Sequence, residues 1–270
     1  MKHVITIAGS DSSGGAGIQA DLKTFSALGV FGMSAITAVT AQSTRGVFAV
    51  NNIPSEIILK QLEVIFEDIK VDGLKIGMVS NTETISTLTS FLKKHPNLPI
   101  VLDPVMISKS GFHLLESKAE SALIKMLIPL ATLVTPNIPE AEVILQEKIS
   151  SVSDMKKAGE KIHKLGPKYV LMKGGHLEGQ CSTDLLFDGK TWHEFSTKRM
   201  PTKNTHGTGC TLSAAICANI AKGHSIEDSV AMAKDYVTKA IKWSFSIGQG
   251  PGPLHHFHAF YNLEGQVHNS

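Results

Sequence analysis

Short apolar runs, each about as long as a buried strand, recur along the chain between longer stretches with helical spacing. The runs are "HVITIAG" (3–9), "SAITAVTAQ" (34–42), "GLKIGMV" (73–79), "PIVLDPV" (99–105), "ATLVTPN" (131–137) and "YVLMKGG" (169–175). Successive apolar positions mean that both faces of such strands are covered, the signature of a parallel sheet between helices. Residues 55–70, 115–128 and 226–246 supply helical patterns. Together they predict an α/β fold: a doubly wound, mostly parallel central sheet with helices on both faces. The stretch "TDLLFDGKTWHEFSTK" (183–198) reads differently, as two strand-like runs joined at Asp188-Gly189. That dipeptide is a hairpin signal, so a small antiparallel edge is predicted there. No internal repeat, low-complexity segment or long linker interrupts the pattern, and 1–270 reads as one domain.

In such a sheet, ligands bind beyond the carboxyl ends of the strands. Polar residues gather at those ends: Asp11, Gln42, Asp103, Asn137 with Glu140, and Lys173 followed by Gly174 and Gly175. The segment "KNTHGTGCTLSAAIC" (203–217) adds a glycine-punctuated entry into a helix of small residues. The first amides of a helix have no internal partner and carry partial positive charge, so this entry is an anion cradle, with Cys210 in its first turn. Gly15-Ala16-Gly17-Ile18-Gln19-Ala20 matches a loose dinucleotide-binding pattern, but the second strand ends in Ala41-Gln42-Ser43, without the acidic residue that would hold a ribose. A Walker A loop does not occur. Phosphoryl transfer needs cationic groups around the moving phosphoryl and carboxylates for a magnesium ion. Lys173, Asp103 and Glu140 supply both.

Bulk composition narrows the classes. With 26 basic and 24 acidic residues the formal charge is +2, which argues against a nucleic-acid or membrane-surface binder. The N-terminal apolar run is too short for a secretory signal, and the chain reads as cytoplasmic. Three cysteines, Cys181, Cys210 and Cys217, make no disulfide framework or zinc motif. His255, His256 and His258 lack a carboxylate or cysteine at ligand spacing.

The motifs carry a resemblance. "AGSDSSGGAGIQADLKTF" (8–25), "AVTAQST" (38–44), "DPVM" (103–106), "VTPNIPEAE" (134–142), "KGGH" (173–176), "NTHGTGCTLSAAI" (204–216) and "GPLHHFH" (252–258) follow one another as in the hydroxymethylpyrimidine/phosphomethylpyrimidine kinases of thiamine biosynthesis. The chain resembles that ribokinase-like family from end to end. The resemblance implies an ATP- and magnesium-dependent kinase that phosphorylates 4-amino-5-hydroxymethyl-2-methylpyrimidine and then its monophosphate, working as a homodimer. It implies Cys210 as the proton acceptor, where most of the superfamily has aspartate, with a thiol pKa lowered by the helix start. Amides of Gly207, Thr208, Gly209 and Cys210 would form the anion hole, and Asp103 and Glu140 would serve the metal. Lys173, Asn137, Thr208 and Gly209 would face the nucleotide. Gly9, Asp21, Gln42, Met78 and Val105 would line the pyrimidine pocket, Gln42 by two-point pairing with the aminopyrimidine edge. Met78 and Val105 could equally be core. The segment 106–114 would close over the substrate. Pyridoxal kinases sharing the cysteine turn are the alternative; they carry Met-Asp where this chain has Ala41-Gln42, and cysteine at Ser108. A silent metabolite-binding module would keep the pocket without turnover.

Overall fold

The computed structural model describes residues 1–106 and 115–267. One nine-stranded sheet forms its centre, in the order β3-β2-β1-β4-β5-β6-β7-β8-β9. The strands are β1 (His3–Asp11), β2 (Phe31–Ser43), β3 (Gly46–Asn52), β4 (Gly73–Ile76), β5 (Ile100–Leu102), β6 (Leu133–Val134), β7 (Tyr169–Met172), β8 (Cys181–Phe187) and β9 (Trp192–Lys198). From β2 through β7 every neighbouring pair is parallel. The β8–β9 hairpin closes one edge antiparallel, with the Asp188 carboxylate accepting from the Lys190 and Thr191 amides to hold its turn.

The other edge was not foreseen. β3 folds back antiparallel on β2, whose last third alternates buried and exposed residues beyond the part that the helices cover. "GVFAVNN" was missed because β3 has no fully buried position, so its apolar residues are not spaced as a core strand's would be.

Helices pack on both faces. On one lie α2 (Ser55–Asp68), α3 (Thr82–Leu92), α4 (Ser117–Ala122), α5 (Ile138–Leu145) and α6 (Val152–His163). On the other lie α1 (Gly17–Ala27), α7 (Thr208–Lys222) and α8 (Ile226–Lys242). Each layer has its own apolar core. Ile58, Leu62, Leu88 and Ile162 meet one face of the strands, and Phe25, Ile216, Ala218 and Val237 the other. The 115–128 pattern becomes α4, a π-helical turn (Leu123–Leu127) and a 3-10 turn (Ile128–Leu130), Pro129 ending regular helix by removing an amide donor.

The chain runs from β1 outward to β2 and β3, then returns across β1 to lay down β4 on its other side. This reversal between β1 and β4 opens a crevice at the strand carboxyl ends, where a ligand can enter without displacing a crossover. Every polar strand-end residue foreseen above lies at that end. The expected closing segment and Ser108 lie outside the described residues, apart from buried Met106.

Candidate active site

The loop after β1 is wound around one carboxylate. Asp11 accepts hydrogen bonds from Ser13 N (2.8 Å) and Oγ (2.7 Å), Gly15 N (3.1 Å) and Ala16 N (2.8 Å), and His206 Nε2 lies 2.9 Å away. Burial alone would raise its pKa. The bonds from His206 and Ser13 and the charge of His206 prevail and hold it at about 2. The glycines of this loop therefore serve the fold around Asp11, not a dinucleotide. A β-carbon at Gly15 would meet the His206 ring, and one at Gly17, where φ is +57°, would meet the Gly9 carbonyl oxygen. His206 is thus a fastener between two loops; its backbone amide also donates to Gly252 O.

That fastening sets the α7 entry beside the β1 loop. Gly207 caps the helix with φ +80°, and a β-carbon there would fall on the Gly15 carbonyl oxygen, so only glycine serves. No side chain caps the helix and no acidic residue occupies its first turn. The helix's own bonding starts with Thr211 N to Gly207 O, and Thr208 N meets Thr205 O only at 3.4 Å. The amides of Gly209 and Cys210 are left facing outward, as anion binding requires.

Asp103, Lys173 and Glu140 converge from three neighbouring strand ends. Lys173 Nζ lies 2.7 Å from Asp103 Oδ1 and 3.8 Å from Glu140 Oε2. Thr135 Oγ1 donates to Asp103 Oδ1 at 3.2 Å, and Ser213 Oγ approaches Oδ2 at 3.4 Å. Burial opposes ionisation of Asp103, but Lys173 and Lys75 hold its carboxyl below the usual range. Glu140 is pushed up to about 7 by burial and by the charge of Asp103, against the pull of Lys173. Asn137 and Glu140 form a capping box at the start of α5: Asn137 Oδ1 accepts from Glu140 N, and Glu140 Oε2 accepts from Asn137 N. The box fixes Glu140 toward Lys173.

Among the described residues, no group of three or more His, Cys, Asp and Glu side chains could hold a metal by itself. A pair of carboxylates on adjacent strand ends instead fits magnesium, which keeps several waters and arrives bound to phosphate oxygens.

Two cavities meet at this point. One, of about 190 Å³, is lined by Gly9, Gln42, Met78, Val105, Lys75 and the 207–210 turn. The second, of about 540 Å³, runs between β8, β9 and α8 past Asn137, Gly175, Ser182 and Lys234. Lys173, Thr205, Thr208 and Gly209 line both. A small ligand and a larger one can therefore face each other across the amide turn. Gln42 has a loosely held amide: its contacts with Thr40 Oγ1 (3.3 Å) and His206 Nε2 (3.4 Å) are long. Thr40 has one proton, already given to Ser10 O at 2.8 Å, so the Gln42 amide keeps capacity for a ligand.

Two expectations are corrected. Asp21 does not line the pocket. It is fully buried, bonded to Thr6 Oγ1 (2.6 Å) and Lys75 Nζ (2.8 Å), and Lys75 stands between it and the cavity. The Cys210 thiol is not lowered by the helix start. Burial among packed groups pushes it up to about 11, Lys75 opposing and Asp21 and Asp103 adding to the rise. Lys75 itself was missed, although a lysine inside the apolar run "GLKIGMV" was a visible signal.

Similarity to known proteins agrees with this geometry. The phosphomethylpyrimidine kinase family matches residues 11–255. The hydroxymethylpyrimidine/phosphomethylpyrimidine kinase of Rhizobium meliloti is 50% identical over 95% of this chain and 97% of its own length. A thiamine biosynthesis bifunctional protein of Geobacter sulfurreducens is 47% identical over 94% of this chain, which spans 52% of that longer protein. Among solved structures, a phosphomethylpyrimidine kinase from Clostridium difficile 630 is 53% identical with a TM-score of 0.80, over 89% of this chain and all of that one. A Staphylococcus aureus pyridoxal kinase in complex with AMP-PCP and pyridoxal is 38% identical with a TM-score of 0.88, over 96% of this chain and 94% of that one. On sequence and fold alike, this chain belongs to the phosphomethylpyrimidine kinase family.

Proposed function

We propose that this protein transfers phosphoryl groups from ATP to 4-amino-5-hydroxymethyl-2-methylpyrimidine and then to its monophosphate, with the α7 entry as the catalytic centre. It is a phosphotransferase of the kind for which its relatives are named, in thiamine biosynthesis. The observation that carries the site assignment is the junction of the two cavities at Thr208 and Gly209. The pyrimidine occupies the smaller one, its amino edge paired with Gln42, against Gly9, Met78 and Val105. The nucleotide occupies the larger one, which passes Asn137 and Lys173.

The protein's own contribution is positioning and charge. Amides of Gly207, Thr208, Gly209 and Cys210 receive the equatorial oxygens of the moving phosphoryl, where they need no reorganisation as charge shifts. Lys173 neutralises phosphate charge. Asp103 and Glu140 would hold magnesium, directly or through water, and the ion would supply positive charge to the phosphates. Cys210 accepts the hydroxyl proton. Burial holds the thiol up at about 11, so at neutral pH it is mostly protonated and turnover draws on a minor ionised form.

The single sheet between two helical layers supports reading 1–270 as one kinase domain. No helix among the described residues is long and apolar enough to cross a membrane, and we place the protein in the cytoplasm. We further expect a homodimer. Phe48 is 65% exposed on edge strand β3 and Val39 is exposed farther along the same edge pair, opposite Asn51, an apolar edge suited to a second copy.

A coupled assay of ADP release, run with hydroxymethylpyrimidine, its monophosphate and pyridoxal side by side, tests the assignment. Turnover of both pyrimidines above that of pyridoxal supports it. Preference for pyridoxal selects the second reading, which the high TM-score to a pyridoxal kinase keeps open. Ligand affinity without ADP release rejects both.

A further inference from the structure

Lys75 is in an unusual position for a lysine. It sits in the middle of β4, fully buried, with both neighbours, Leu74 and Ile76, in the apolar core. Such burial is costly unless the ammonium is paired and its donors are used. An ammonium has three donors. Among the described residues, Asp21 Oδ2 at 2.8 Å is the acceptor it meets. Lys75 also lines the smaller cavity together with Cys210 and Asp103. Gly77 leaves the space, since a β-carbon there would stand 2.7 Å from Lys75 Nζ. On the far side, Asp21 is itself incompletely satisfied: Thr6 and Lys75 both bond Oδ2, while Oδ1 is buried with no partner. A core ion pair kept only for stability would use its hydrogen-bonding capacity. This one leaves donors unused just behind the wall of the smaller cavity, sealed from solvent, so its charge acts across the wall.

We propose that Lys75 is the built-in counter-charge of Cys210, and that Asp21 sets its strength from behind as a positioning residue that never touches substrate. The inference rests on the assignment of Cys210 as proton acceptor. The charges that act on the thiol are Lys75 from β4, Asp21 from α1 behind Lys75, Asp103 after β5 and Lys173 after β7. Two of these are cations and two are anions. The Lys75 ammonium lowers the thiol pKa, whereas Asp21 and Asp103 raise it. Asp103 is tied to Lys173 at 2.7 Å, which leaves the Lys75–Asp21 pair as the adjustable element. The step it assists conserves atoms and charge: the substrate oxygen forms its bond to phosphorus, ADP leaves, and the hydroxyl proton passes to the Cys210 sulfur.

The test uses opposite-sign charge changes. In the intact protein, the alkylation rate of Cys210 by iodoacetamide is followed against pH by peptide mass spectrometry, which separates it from Cys181 and Cys217. Lys75→Met should move the midpoint up by about one pH unit or more, and Asp21→Asn should move it down by a comparable amount. Lys75→Met/Asp21→Asn removes both charges and should lie between them; it also serves if either single variant fails to fold, because no uncompensated charge remains buried. Shifts of the same sign, or no shift, overturn the proposal. The alkaline limb of kcat is measured in parallel. If the thiol midpoint moves as stated and the kcat limb does not follow, the counter-charge stands and Cys210 is not the proton acceptor. If the limb moves while the thiol does not, the counter-charge is rejected.

Discussion

As the proposed proton acceptor, the sulfur at position 210 is buried and yet has to ionise, and these demands conflict. Desolvation favours the thiol, so the cation beside it and the amides below it must supply what water would have supplied. Cys210→Ala should therefore lower kcat by about 10²–10⁴, the usual contribution of a positioned proton acceptor, with little change in the KM for ATP. The wild-type rate should climb with pH from 7 toward 10, because the ionised fraction grows as pH approaches about 11. Cys210→Asp, whose base is ionised throughout that range, should flatten the profile; a flat wild-type profile would exclude the thiolate. Gln42→Leu leaves the pyrimidine edge unpaired and should weaken substrate binding by ~1–3 kcal/mol, read as a raised KM with modest change in kcat. At this scale the sequence was informative about which polar residues gather at the strand ends and silent about their state. A cysteine at a helix start is legible; the direction of its pKa depends on groups from α1, β4 and β5 that only folding brings near.

The α7 entry and the β1 loop act as a matched pair of elements, and glycine has two different uses there. Gly207 needs a positive φ and has the Gly15 carbonyl oxygen where a side chain would go. Gly207→Ala should disrupt the contact between the two loops, lowering the melting temperature as well as turnover. Gly209 differs, because its β-carbon would meet only the ends of Asp103 and Lys173, each at 3.5 Å. Gly209→Ala should melt near wild type yet lose turnover, if its methyl group enters the space proposed for the phosphoryl. Equal thermal losses in the two variants would contradict this division. Parallel strands and the 183–198 hairpin could be read from the sequence because burial on both faces, or a tight turn, leaves a local signature. β3 could not, since an edge strand lacking a buried face has no periodic mark.

Across the whole molecule, the β1 loop is linked to the chain's far end. Asp11 bonds His206, and His206 N bonds Gly252 in the C-terminal segment, where Gly252 N in turn donates to Asn204 Oδ1. Asp11 ionises at about 2 in the folded protein, below its ordinary 3.8. A depressed carboxylate stabilises the fold above its unfolded pKa, and that contribution fades as pH falls through the folded value. Asp11→Asn should accordingly cost on the order of 2 kcal/mol near neutral pH, and the difference from wild type should shrink between pH 4 and 2 in denaturant titrations. A difference independent of pH over that interval would show that packing, not charge, ties the loops together.

Local pattern alone determined the layered α/β fold, the β8–β9 hairpin, and the set of polar residues at the strand ends. Each follows from short-range rules: side-chain period, turn chemistry and the unpaired amides that open a helix. Tertiary structure decided what those residues do to one another. It placed Asp21 behind Lys75 instead of in the pocket, committed Asp11 and His206 to joining two loops, and raised the thiol that the helix start alone would have lowered. The reason is that Coulomb interaction and desolvation depend on distance and burial in space, and residues 21, 75, 103 and 210 become neighbours only when the sheet is wound.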